Sequence, residues 1–289
     1  YFNKMNFQEG SMNILITGAN GNIGTYLCNV LSKSHTVYGL DKTELNIVDK
    51  ISTEKTLNLL KPDAVIHTAA ITNKYICEYN ETLAYNVNTV GTLNIANCCN
   101  DLNIPIVYLS STDVYGDNSS MPYSEVDKCF PINVFSKSKL GGEELIQTIC
   151  QKYFIIRSST IFGGNDCFVR KLINGKHSAI YLFSNPTLCV TYIEDLILAI
   201  QGLLGTDKYG VYNYTNEGCI SKSRLINSII EFGNLNVPLV VSSDKLLSNL
   251  IQEPKYTCTD NSHIKEALGI DIAPWDDRLR EYINKCLKV

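Results

Sequence analysis

The sequence predicts an α/β fold, a doubly wound parallel sheet followed by a smaller mixed α/β region. Three observations predict it. From Met12 onward, short apolar runs alternate with longer amphipathic stretches, the rhythm of strands joined by helices. The short runs are apolar throughout instead of alternating with polar residues, as strands covered on both faces require. A glycine-rich turn separates the first apolar run from the first amphipathic one.

Taken in order, "NILIT" reads as a strand, "NIGTYLCNVLSK" as a helix, "TVYGLD" as a strand, "STEKTLNLLK" as a helix and "DAVIHTAA" as a strand. "LAYNVNTVGTLNIANCCN" reads as one long helix, "IPIVYLSS" as a strand, residues 134–151 as a helix and "YFIIRSS" as a strand. Beyond residue 160 the pattern loosens. Helices are expected at "CFVRKLING", "IEDLILAIQGLL", "SKSRLINSIIEF", "SHIKEAL" and "DDRLREYINKCL", with strands at "AIYLF" and "GVYNYT". The division expected is a first domain over 12–160 and a second region over 161–289, part of which returns to the first. Gly10 and Ser11 ahead of Met12 read as a cloning scar, so residues 1–11 are set outside the fold.

The composition narrows the function classes. Twenty-five Lys and Arg against 29 Asp and Glu give a net charge of −4 with no basic block, which argues against nucleic acid as a partner. No apolar run is long enough for a membrane span and no signal peptide is visible, so a cytoplasmic protein acting on a small molecule is expected. The 11 cysteines form no CxxC pair and read as reduced core residues, and no His/Cys/Asp spacing indicates a metal.

"ILITGANGNIG" carries the chemistry. Gly18, Gly21 and Gly24 let the chain turn, approach a pyrophosphate and bring the helix against the strand, while the helix amino terminus offers unpaired N–H groups to the anion. The spacing is GxxGxxG and no Lys follows, which fits a dinucleotide better than a nucleoside triphosphate. Asn20, Asn22 and Ile23 complete the loop. Asp41 ends the second strand 17 residues after Gly24, close to the position about 20 residues on where an acid holds a ribose 2′-hydroxyl. The chain is thus expected to bind NAD or NADP in a Rossmann domain, NAD being favoured because Asp41 repels a 2′-phosphate, although Lys42 stands beside it. Ala69 and Ala70, at the end of the third strand, are expected to face the same crevice.

With "HTAA" at 67–70, "NTVGT" at 88–92, "SSTDVYG" at 110–116 and "FSKSK" at 135–139, the chain resembles the extended short-chain dehydrogenase/reductases that act on nucleotide-linked sugars. It is most similar to their dTDP-4-dehydrorhamnose reductase branch, through "PINVFSKSKLGGEE", "YFIIRSSTIFGG", "TYIEDL", "GVYNYTNEG" and "EPKYTCTD" in the same order. The resemblance implies an NAD(P)-dependent reductase of a 4-keto nucleotide sugar, with 161–289 mainly binding substrate and a homodimer as an expected assembly. It also implies a catalytic Ser or Thr at Ser111, a lysine at Lys139 that also binds the nicotinamide ribose, and an asparagine at Asn88. Ser111, Thr112, Asp113, Thr191 and Tyr192 are the implied substrate contacts. Thr191 equally fits the start of a helix.

Phe135 falls where the family has its tyrosine. A phenol beside the ketone is the general acid, and phenylalanine keeps the shape without the proton, a loss that typically costs about 10² to 10⁴ in rate. Tyr123 and Tyr115 are the nearby hydroxyls in sequence, but neither has the spacing to Lys139. Two readings stay open: an engineered replacement of a natural tyrosine, or a natural non-catalytic member that binds a cofactor or partner, as does the regulatory subunit of methionine adenosyltransferase. A 4-epimerase uses the same residues and also stays open, whereas a 4,6-dehydratase is disfavoured because Thr112 and Asp113 stand where it needs Asp and Glu. Glu253 replaces an arginine that the branch commonly has before the proline.

Overall fold

A computed structural model describes residues 10–175, 177–241 and 251–288. Residues 1–9 of the expected cloning remnant lie outside the described residues. The first half runs β1 (Asn13–Thr17), α1 (Asn22–Leu31), β2 (Thr36–Leu40), α2 (Lys50–Leu60), β3 (Ala64–His67), α3 (Lys74–Tyr79) and α4 (Glu81–Tyr85). A π-helical turn (Asn86–Gly91) leads into α5 (Thr92–Asp101), then β4 (Ile106–Ser111), a 3₁₀ turn (Thr112–Tyr115), α6 (Val134–Ile149) and β5 (Tyr153–Ser158). The second half runs β6 (Thr160–Phe162), α7 (Phe168–Asn174), β7 (Ile180–Leu182), β8 (Thr187–Leu188), β9 (Val190–Tyr192) and α8 (Ile193–Leu204). It continues with β10 (Gly210–Asn213), β11 (Ile220–Ser221), α9 (Lys222–Phe232), β12 (Leu239–Val241), β13 (Tyr256–Thr257), α10 (Ser262–Leu268) and α11 (Trp275–Leu287).

The main sheet has the order β10-β5-β4-β3-β1-β2 with every pair parallel. Its inner strands β1, β3, β4 and β5 are buried on both faces, as their unbroken apolar runs require. One core lies between the sheet and α1, α8 and α10, where Ile14, Ile16, Phe154 and Ile156 meet Leu27, Ile200 and Ile264. The other lies on the opposite face, where Leu15, Val65 and Ile155 meet Leu57, Ile95 and Ile146. This is the doubly wound architecture the sequence predicts. β10, from the second half, closes the sheet beside β5.

Strand order reverses between β1 and β3, which opens a crevice at their carboxyl ends, where such sheets take ligands. The predicted helix over 83–100 is interrupted by the π-helical turn around Asn88, a distortion often found at functional sites. Thr191 lies in β9, paired with Ile161 of β6, and not on a helix. α8 starts after Tyr192 with no side-chain cap.

Candidate active site

The glycine loop is a close-packed turn. A Cβ on Gly24 would lie 2.2 Å from the Gly18 carbonyl oxygen, and one on Gly18, whose φ is +72°, would lie 2.8 Å from the Ala69 backbone. Gly21 caps α1 without a side-chain hydrogen bond, leaving the first-turn N–H groups open to an anion. Residues of this kind fit a dinucleotide pyrophosphate. Asn22 donates from Nδ2 to the Gly163 carbonyl at 3.2 Å and accepts the Asp166 N–H at 3.3 Å, tying the loop to the second half. Ile23 packs against the first core.

The Asp41 carboxylate stands just past β2. It accepts the Thr43 hydroxyl at 2.6 Å and the Thr43 N–H at 2.7 Å, and also a bond from the Asn20 amide. Those bonds hold its pKa below the ordinary carboxylate value, the Thr43 side chain contributing most. Lys42 beside it is exposed, while Ala69 and Ala70 are half-buried. His67 ends β3 fully buried, between Thr17 at 2.6 Å and Thr92 at 3.0 Å. Burial first, and the Lys139 charge second, push its pKa down to about 3, so it packs under the loop as a neutral ring.

Ser111 ends β4, and its Oγ accepts the Asp113 N–H at 3.2 Å, capping the 3₁₀ turn. α6 packs on both β4 and that turn. Asn133 and Ser136 form a capping box at its start, which fixes the first turn that carries Phe135. Phe135 packs with Cys77, Ala84 and Val134, and against Tyr85. One turn later the Lys139 ammonium lies 3.9 Å from the centre of the Tyr108 ring. Burial drives its pKa down from 10.5 to about 7, against the attraction of Glu143. Among the described residues Lys139 forms no ion pair.

Asn88 explains the distorted helix. Its Oδ1 accepts the Ile71 N–H at 2.7 Å, and its Nδ2 donates to the Ile71 carbonyl at 3.0 Å and to the Ser138 hydroxyl at 2.9 Å. It therefore joins the segment after β3 to α6, between Phe135 and Lys139. Neither tyrosine weighed from sequence has a hydroxyl to spare: Tyr123 is held by the N–H groups of Asn118 and Ser119, and Tyr115 by Arg157 and Asn213.

A cleft of about 1070 Å³ lies between the two halves, lined among others by Lys74, Tyr181, Phe183, Lys222, Glu253 and Lys255. Sequence reading missed most of these residues because they come from four separated segments. The Tyr181 and Phe183 rings are stacked, 11° from parallel. Lys74 joins Asp113 at 2.7 Å and Glu253 at 3.2 Å, so Asp113 turns toward the cleft. Burial alone would raise the Glu253 pKa, but Lys74 and Lys222 outweigh it and lower the pKa to about 2. Thr112 is buried, with Oγ1 unpartnered among the described residues.

Thr191 and Tyr192 are not brought to this cleft. Thr191 donates to the Tyr214 carbonyl at 3.2 Å, and Tyr192 lies buried against Phe162 and Tyr282. Arg157 is likewise buried, in an ion pair with Glu143 at 2.6 Å. Many cysteines are core residues as expected, but three of them come together in a way the sequence spacing does not show. The sulfurs of Cys219 and Cys258 are in contact, and with Cys189 all three lie within 4.8 Å of one another. Strand pairing across 30 and 39 residues assembles them, which no local spacing reveals.

A parallel doubly wound sheet with a glycine loop at its switch point defines a Rossmann-type scaffold. The family described as RmlD substrate binding domain matches residues 12–288, and the chain belongs to that family. A dTDP-4-dehydrorhamnose reductase of Aggregatibacter actinomycetemcomitans is 31% identical, over 92% of this chain and 97% of its own. A spore coat polysaccharide biosynthesis protein, SpsK, of Bacillus subtilis is 30% identical, over 94% and 97%. The solved dTDP-4-dehydrorhamnose reductase of Bacillus anthracis, in complex with NADP, superposes with a TM-score of 0.90 at 26% identity, covering 95% of this chain and 99% of that one.

Proposed function

We propose that this protein is a nicotinamide-dinucleotide-dependent reductase of a 4-keto nucleotide sugar, of the dTDP-4-dehydrorhamnose reductase type, with its proton donor replaced by Phe135. The observation that carries the reading is Lys139. A buried ammonium paired with no carboxylate among the described residues is costly unless a ligand uses it, and it stands one helical turn from position 135.

In this reading the first-turn N–H groups of α1 hold the pyrophosphate, Asp41 the adenine ribose and Lys139 the nicotinamide ribose. Asp41 makes NAD the favoured cofactor. Held there, a reduced nicotinamide would supply the hydride for a ketone carbon. The Ser111 hydroxyl donates to the ketone oxygen and orients it. The proton that this oxygen needs has no donor at Phe135, so the chain binds both ligands and turns over slowly. Residues 12–160 carry the cofactor and 161–289 most of the substrate contacts. In the cleft, Tyr181 and Phe183 offer stacking surface for a nucleobase, and Lys222 and Lys255 positive charge for its diphosphate.

Phe135 itself favours a second reading, a non-catalytic cofactor-binding subunit. Calorimetry with NADH and with dTDP separates the two. The reductase reading expects both to bind, each at its own site. Binding of NADH without any dTDP binding would favour the regulatory subunit.

A further inference from the structure

β11, β8 and β13 form one small sheet. Cys189 directly follows β8, Cys258 directly follows β13, and Cys219 directly precedes β11, which runs antiparallel to β8. The three cysteines therefore share one end of this sheet. Its other end leads into the cleft: Pro186 precedes β8, Lys255 precedes β13 and Lys222 follows β11, and all three residues line the cleft.

The Cys219 and Cys258 sulfurs are in contact, and Cys189 Sγ lies 3.8 Å from Cys219 Sγ. That separation equals the edge of a tetrahedral zinc–thiolate site, about 3.8 Å for Zn–S bonds of about 2.3 Å. Cys189 and Cys258 are buried while Cys219 is exposed, which gives an ion a way in and leaves one coordination position open to water. The Thr259 N–H and the Thr215 and Thr259 hydroxyls face the Cys189 sulfur as donors, the kind of support that orients metal thiolates.

We propose that, in the reduced protein, Cys189, Cys219 and Cys258 form a three-thiolate site for a zinc-class metal ion, which fastens the strands forming one wall of the cleft. Three thiols lose three protons as one divalent ion binds, and no electron moves. Only side-chain rotation is needed to spread Cys219 and Cys258, because their Cα atoms are held 5.8 Å apart by the sheet.

The test is anaerobic titration of the full chain, reduced with dithiothreitol and desalted, with Co²⁺. One equivalent should bind, with a thiolate-to-cobalt charge-transfer band and the visible bands of tetrahedral cobalt, and Zn²⁺ should displace it. Cys189→Ser and the exposed Cys219→Ser should each weaken binding at least tenfold, while Cys28→Ser leaves it unchanged. Zn²⁺ at 100 times its Kd should raise the thermal midpoint by roughly 5 °C. Absence of the charge-transfer band in the reduced chain, or a band indifferent to Cys189→Ser in a variant with native circular dichroism, overturns the site.

Discussion

Replacing Lys139 by methionine should make the protein more stable at neutral pH. The ammonium is buried without a carboxylate partner among the described residues, and its pKa falls from 10.5 to about 7. Between pH 7 and 10.5 the unfolded chain carries a proton on this amine that the folded chain lacks, so stability rises with pH across that window. Below pH 7 the penalty is complete, at about 1.4 kcal/mol per pH unit a total of up to about 5 kcal/mol. Loss of the contact with the Tyr108 ring offsets about 1–2 kcal/mol of it. Urea denaturation should therefore show Lys139→Met more stable by about 2–4 kcal/mol at pH 6, with the difference closing as pH approaches 10. A variant less stable than the parent by a constant amount at every pH would refute the reasoning, because the amine would then have the same pKa in the folded and the unfolded chain.

The same structure makes further predictions. Gly21→Arg should abolish NAD(H) binding in calorimetry while leaving the circular dichroism spectrum unchanged, since Gly21 is exposed at the open end of α1; unchanged affinity would remove the phosphate-loop assignment. Asp41→Ala should shift the ratio of NADPH to NADH affinity at least tenfold toward NADPH, and a constant ratio would show that Asp41 does not face the ribose. Arg157→Met should cost about 3–5 kcal/mol in urea denaturation, because it strands the buried Glu143 carboxylate. Substituting both partners with apolar residues should cost less.

The main sheet was legible because each of its strands announces itself locally, as in "NILIT" and "DAVIHTAA", and because glycine at 18, 21 and 24 has few other uses between a strand and a helix. Ser111, Lys139 and Asn88 were legible only through resemblance, since nothing in their spacing states that β4, α6 and the π-helical turn converge. The turn itself was missed because "NVNTVG" has ordinary helical periodicity, and the distortion comes from Asn88 bonding to Ile71 across the chain. Thr191 was read as near a helix start from the acids that follow it, and α8 does begin two residues later with Glu194 and Asp195 in its first turn, while pairing with β6 holds Thr191 itself in the preceding strand. The three-cysteine cluster depends on long-range strand pairing in the irregular second half, and the cleft on bringing that half against the segment around Lys74. In the second half, strands of two residues such as β8, β11 and β13 carry too little pattern to be seen.

The most direct measurement is oxidation of NADH and NADPH with dTDP-4-keto-6-deoxy sugar, comparing this chain with Phe135→Tyr. The account predicts that the tyrosine raises turnover by about 10² or more, the contribution of a restored general acid, with cofactor affinity unchanged. Equal rates in the two proteins, or no turnover in either despite bound cofactor, would contradict it.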